Sequence, residues 1–248
     1  MLHVELSSES SGERERVFSI CERNAIALSG SQKLTLEAYV ESLTNWNTRI
    51  NLVSRIDISK VWSRHILHSI CPLMKLTLPV GSAVLDIGSG GGLPGIALAI
   101  VREDLKVILV DSVRKKTEAL EQIIAEVGIG NASVIHSRIE EPAFVSVHRN
   151  RFDFAVARAV THLSKLIVWS KPLLRPRLQE PSYTFPPTNE TRRIVPPALL
   201  VYKGGNLTRE LPRQTPEKTR IEVMDLGFVG SEESGLEEKK LVIVQYEE

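Results

Sequence analysis

The 248-residue sequence has little cysteine, few aromatic residues and almost no net charge. Its two cysteines, Cys21 and Cys71, lie far apart and form no Cys-x-x-Cys pair, which excludes a disulfide framework and a thiolate zinc site. Both read as core packing residues, and no metal is expected. Thirty-one Lys and Arg against thirty Asp and Glu leave +1, so whole-chain charge neither demands nor forbids a polyanionic partner. Any basic surface must be local. No apolar run is long enough to cross a bilayer, and the opening MLHVELSSES lacks the basic start and apolar stretch of a secretory signal. The expectation is a soluble cytoplasmic protein without membrane contact. What is present is apolar material: 42% hydrophobic residues suffice for one sizeable core and exclude disorder as the main state.

Residues 1–12 are expected to be a disordered terminus, since SSESSGERER can bury little. From residue 13 to 80 the spacing predicts a helical cap. Val17, Ile20, Cys21 and Leu28 keep helical steps, as do Leu36, Tyr39, Val40, Leu43, Trp46 and Ile50. A third helix is expected from an Asp57 N-cap through Ile58, Val61, Trp62, His65, Ile66 and Ile70 to Pro72. After Gly81 the pattern turns to short Val- and Ile-rich runs alternating with helical stretches, starting at 83, 106, 132, 152 and 198, the rhythm of an α/β fold with a parallel sheet. RIEVMDL at 220 and KLVIVQY at 240 lack a crossover helix between them and are expected to pair antiparallel at one edge. Within this 81–248 unit, residues 176–197 hold six of the thirteen prolines, flanked or joined by Arg175, Arg177, Arg192 and Arg193; they read as a long loop, taken as a flap beside the substrate entrance.

The most informative segment is AVLDIGSGGGLPGIALAIV, a buried strand that runs through a glycine-rich turn into a helix. Glycines there let backbone approach a ligand closely. Gly90, Gly92 and Gly95 formally match the dinucleotide fingerprint, but counted from the strand end the first glycine is Gly88 and the third position falls on Leu93, where a small residue is needed. Asp86 at the strand end would repel a pyrophosphate, whereas it suits a ligand with an ammonium and a sulfonium, the charges of S-adenosylmethionine. The methyl donor is therefore preferred to NAD. Asp111, 23 residues beyond Gly88 at the next strand end, can accept hydrogen bonds from ribose hydroxyls in either case. In HSRIEE, Ile139 can pack on an adenine while Glu140 or a backbone group reaches its edge.

The succession NWNTRINLVS (45–54), RHILHS (64–69), LDIGSGGGLPGI (85–96), VDSVRKK (110–116), SRIEE (137–141), ARAV (157–160) and YKG (202–204) resembles the bacterial RsmG or GidB family, which methylates guanine N7 in small-subunit ribosomal RNA. The resemblance implies a Rossmann-like class I S-adenosylmethionine-dependent methyltransferase with a seven-stranded, mostly parallel sheet and an N-terminal helical cap. Its partner would be 16S rRNA or the small ribosomal subunit, with the methylated guanine in the decoding region, and the protein would act as a monomer. The implied donor contacts are Gly88, Leu93, Asp111, Ile139, Glu140 and Arg158. Two departures stand out: the family usually has Asp where this chain has His68, and a short Pro-Gly turn where this chain has the 176–197 segment.

Guanine N7 carries a lone pair and no proton, so no catalytic base is expected and positioning carries the reaction. The chain lacks the Asn-Pro-Pro-aromatic motif that serves exocyclic amines and the Pro-Cys nucleophile that serves pyrimidine carbons. Arg158 stands in their place. It can bind the donor's carboxylate or the guanine edge, or form a structural salt bridge; the first is preferred, because donation to N7 would occupy the attacking lone pair. For the RNA, phosphate contacts are expected from Arg64 in the cap and Lys203 on the fifth strand, the cap carrying Arg49, Arg55, Lys60, Arg64 and Lys75 against Asp57 between residues 42 and 75. His65 and His68 read as packing or surface residues. The alternative reading is a methyltransferase of the same class acting on a small molecule or a protein.

Overall fold

The computed structural model describes residues 8–54, 56–177, 182–187, 191–208, 210–212 and 216–247. The amino-terminal third is helical. α1 (Ser8–Arg23) turns Val17, Ile20 and Cys21 inward, and α2 (Gly30–Asn47) buries Leu36, Tyr39, Val40 and Leu43. α2 starts on a capping box: Ser29 Oγ accepts from the Gln32 N–H while Gln32 Oε1 accepts from the Ser29 N–H. The expected disorder over 1–12 is corrected from residue 8 onward, where the backbone is already helical; residues 1–7 lie outside the described residues.

The third segment is not the single α-helix that its spacing predicts. It runs through a 3-10 turn (Ile58–Lys60), a π-helical turn (Trp62–Leu67), a short α3 (His68–Ile70) and a second 3-10 turn (Cys71–Met74). Three- and four-residue steps do not distinguish these windings, because each brings Trp62, Ile66 and Ile70 to one side. Asp57 makes no capping bond; its carboxylate takes the Arg64 guanidinium instead.

The remaining elements are β1 (Leu76–Thr77), β2 (Ala83–Ile87), α4 (Gly95–Val101), β3 (Lys106–Asp111), α5 (Arg114–Val127), β4 (Ala132–His136), α6 (Pro142–His148), β5 (Phe154–Arg158), α7 (Leu163–Ser170), β6 (Arg192–Arg193), β7 (Ala198–Gly204), β8 (Thr219–Asp225), α8 (Ser231–Ser234) and β9 (Lys239–Tyr246). Seven strands form one sheet in the order β4-β3-β2-β5-β7-β9-β8, parallel except that β9 runs against both neighbours. β1 and β6 add a separate two-stranded parallel sheet, so the described strands number nine rather than seven.

Alternation along the strands feeds two cores. Val84, Val156 and Leu200 face the cap, where they pack with Leu36, Trp62, Ile66, Ile96 and Leu120; Leu85, Ala155 and Leu199 face α6 and α7. The cap thus has no core apart from the sheet's. The same period of two puts Asp86 and Arg158 on the cap side, in step with Val84 and Val156.

The described residues of the proline-rich segment lie at the amino edge of the sheet, not beside the strand ends that form the ligand opening. It leaves from the bridge between Phe152 and Leu174, donates the Arg192 N–H to Lys75 O (2.9 Å) as β6 joins β1, and enters β7 where Ala198 pairs with Phe154. Thr184 O accepts from the Val80 N–H at 2.7 Å. The flap expectation is corrected by topology: in a parallel sheet every helix returns the chain to the amino edge, whereas strand-to-helix turns collect at the carboxyl edge. Residues 178–181 and 188–190 of the segment lie outside the described residues.

Candidate functional site

At the carboxyl edge, the ends of β2, β3, β4 and β5 surround an opening of about 640 Å³. This volume lies within the roughly 300–1,000 Å³ of small-molecule sites. All six residues expected to hold the donor line it: Gly88, Leu93, Asp111, Ile139, Glu140 and Arg158. Gly88 has φ +65°, and a Cβ there would come within 2.8 Å of Val160 Cγ2, so the turn admits no side chain at that point. Asp111 is nearly buried, and its carboxylate accepts from the Gly90 N–H and from the Val113 N–H, both at 2.9 Å. Each oxygen keeps further lone-pair capacity toward the opening. Ile139 is buried and forms apolar wall, while Glu140 beside it is exposed.

Asp86 behaves differently from its sequence reading. It is fully buried and absent from the lining; Oδ2 accepts from the Gly95 N–H at 2.8 Å and so ties the strand to the start of α4. Oδ1 has no hydrogen-bond partner among the described residues. Burial pushes this carboxyl up to about 7, against the opposing pull of the Gly95 N–H and of Arg158. It shapes the turn from behind and does not meet a ligand's charges directly.

The cap builds the opposite wall. Asn47 is buried, and its Oδ1 accepts from the N–H groups of Leu52 (2.8 Å) and Val53 (2.9 Å), holding both residues in the lining. Tyr39 OH donates to Gly91 O at 2.7 Å and clamps the glycine turn to α2. His65 also lines the opening, and Arg158 Nη2 donates to its Nδ1 at 2.8 Å. Sequence reasoning missed these residues. The Asn47 and His65 positions carry a signal, since both sit in the NWNTRINLVS and RHILHS segments, but their roles are tertiary.

The two expected RNA contacts part company. Arg64 lies outside the lining, half-exposed and paired with Asp57, which does line the opening, so its guanidinium sits at the rim. Lys203 is corrected: its Nζ donates to Glu210 Oε2 (2.8 Å) and to Thr161 O (3.3 Å), and its side chain is largely buried. Unlike the half-exposed Arg64, Lys203 is held largely buried between Glu210 and a backbone carbonyl, so its charge is not offered to a phosphate.

A mostly parallel α/β sheet with a helical cap and a glycine turn at the carboxyl ends of its strands is a Rossmann-like fold with its opening where such folds take nucleotide-like ligands, and the family that matches makes it a class I methyltransferase. The family described as rRNA small subunit methyltransferase G (GidB) matches residues 32–180. A relative from Chlorobium limicola named ribosomal RNA small subunit methyltransferase G is 36% identical over 201 residues, 80% of this chain and 80% of its own. Another of that name, from Parabacteroides distasonis, is 34% identical over 227 residues, 92% of this chain and 89% of its own. Among solved structures, a mutant of MtNAS shares the fold, with TM-score 0.51 at 14% identity over 99% of this chain and 80% of that one. The chain belongs to the rRNA small subunit methyltransferase G family.

Proposed function

We propose that this protein transfers a methyl group from S-adenosylmethionine to N7 of a guanine in 16S ribosomal RNA, acting in the cytoplasm as a monomer. The observation that carries the reading is the convergence of six sequence-singled residues on one opening whose chemistry suits the donor. Acceptors stand at Asp111 and Glu140 for hydroxyl and amino groups, Ile139 and Val110 offer apolar wall for a flat base, and Arg158 offers a guanidinium for a carboxylate. Bound S-adenosylmethionine supplies an electrophilic methyl on a sulfonium.

The chain's own residues supply positioning and exclusion of water. Gly88 and Gly90, both at positive φ, give close backbone approach, and Asp111 fixes Gly90 through its N–H. Leu52 and Val53, fixed by Asn47, close the cap side of the site. Because N7 is already unprotonated, none of these residues needs to move a proton. Arg64 at the rim is the proposed phosphate contact, released from Asp57 as RNA docks.

Mapping N7-methylguanine by chemical cleavage of small-subunit RNA, from cells with and without this chain, tests the reading. A single cleavage that depends on the chain supports it. Label from the methyl donor entering protein or small molecules, with the RNA unchanged, would instead favour another substrate on the same fold.

A further inference from the structure

His65 faces Arg158 across the cap side of the opening, and the direction of the bond between them is fixed by chemistry. A guanidinium has donors only, so His65 Nδ1 accepts from Nη2 at 2.8 Å and the imidazole proton resides on Nε2. A second, longer contact runs from Arg158 Nη1 to Arg64 O at 3.5 Å. Burial, reinforced by the Arg158 charge, pushes the His65 pKa down to about 4, which keeps the ring neutral and its lone pair available at physiological pH.

Arg158 forms no salt bridge among the described residues. Of the acids on its own face at this edge, Asp86 is turned to the Gly95 N–H and Asp111 to the Gly90 and Val113 N–H groups. A half-buried guanidinium is therefore oriented by a neutral ring and a carbonyl rather than by a carboxylate. The distinction matters: a carboxylate partner would cancel the charge, whereas a neutral acceptor fixes the fork and leaves the full positive charge for an anion in the opening.

We infer that His65 is the positioning residue that aims the Arg158 guanidinium at the carboxylate of the bound methyl donor. The inference rests on the donor reading above. It separates His65 from a packing role, because only one part of the ligand should register its loss.

The test is calorimetric titration of the full chain with two ligands: S-adenosylhomocysteine, and 5′-methylthioadenosine, which keeps the adenosine and thioether but lacks the amino-acid end, ammonium and carboxylate together. His65→Ala should weaken S-adenosylhomocysteine roughly tenfold and leave methylthioadenosine within about twofold. His65→Gln, whose side-chain oxygen can accept from Arg158, should recover most of the loss. In Arg158→Ala, adding His65→Ala should cost nothing further, since the two act as one unit. His65→Phe keeps the ring and removes the acceptor, and should give the same ligand discrimination if the alanine variant does not fold. Equal weakening of both ligands, no weakening, or full additivity with Arg158→Ala would overturn the inference. If the unaltered chain binds S-adenosylhomocysteine but His65→Ala and His65→Phe keep its preference over methylthioadenosine, the inference alone falls; if the unaltered chain binds neither, the donor reading falls with it.

Discussion

The two edges of the seven-stranded sheet are built from the same strands and follow opposite rules. At the amino edge, polar groups are matched inside the protein: Asp153 accepts from the Ala83 N–H and pairs with Arg175, both at 2.7 Å, and Arg192 pairs with Glu222. At the carboxyl edge Arg158 has no carboxylate, Glu140 is exposed, and Asp111 holds only backbone N–H groups. The amino edge is closed by internal pairs; at the carboxyl edge Lys203 is paired with Glu210, but Arg158, Asp111 and Glu140 around the opening are left for a ligand. This explains why a long proline-rich insertion is accommodated at one edge, while the other tolerates so little that a Cβ on Gly88 has no room.

Substitutions that respect or violate this division should separate cleanly. The largest effect is expected for Asp111→Ala, which removes the acceptor for Gly90 and Val113 and should lower donor affinity about a hundredfold or more, at roughly 1.5–3 kcal/mol per charged hydrogen bond, read by equilibrium titration. Gly95→Ala comes next. Its Cβ would lie 2.6 Å from the buried Asp86 Oδ2, and overpacking of this kind costs about 1–3 kcal/mol, visible as a lower urea midpoint.

A pH series gives a smaller effect with a definite sign. Burial pushes the pKa of His65 down to about 4 and that of His68 down to about 3, so their contribution to stability is complete above pH 6.5 and is lost as pH falls toward those values. Asp86, raised to about 7, acts in the opposite sense: its contribution is complete below its ordinary value of 3.8 and is lost as pH rises through 7. Two histidines outweigh one carboxyl, so the urea midpoint should fall between pH 6.5 and 4. A midpoint that rises over that interval would show Asp86 to dominate. The smallest effect is expected at the amino edge. Replacing residues 178–190 by a short Pro-Gly turn should leave donor affinity within about twofold and cost about 1 kcal/mol of stability through the lost bond from Val80 to Thr184. A large loss of donor affinity would break the comparison between the edges.

The strands were legible because buried parallel strands read as short Val- and Ile-rich runs, and the α5 stop at Gly128, which adopts φ +77°, was legible from glycine's freedom there. The six residues that line the opening were named through the family resemblance, with Asp111 also marked by its place at a strand end, and their position just beyond the strand runs is what brings them together. The mixed winding of residues 58–74 was not, since apolar spacing constrains the buried face and not the turn type. Nor was the fate of Lys203, whose partner Glu210 is seven residues on across an irregular stretch. His65 was read as packing because its function lies in a contact with Arg158, 93 residues away, that only the cap's placement creates. The proline-rich segment was misplaced as a flap from its composition, although connectivity, a helix before it and a parallel strand after it, accounts for its described residues lying at the amino edge.

The most direct measurement is a crystal structure grown with S-adenosylhomocysteine. The account expects the ligand at the carboxyl edge, with its ribose on Asp111, its adenine beside Ile139 and its carboxylate on Arg158. Ligand bound elsewhere on the chain, or in the same opening with its carboxylate turned away from Arg158, would contradict it.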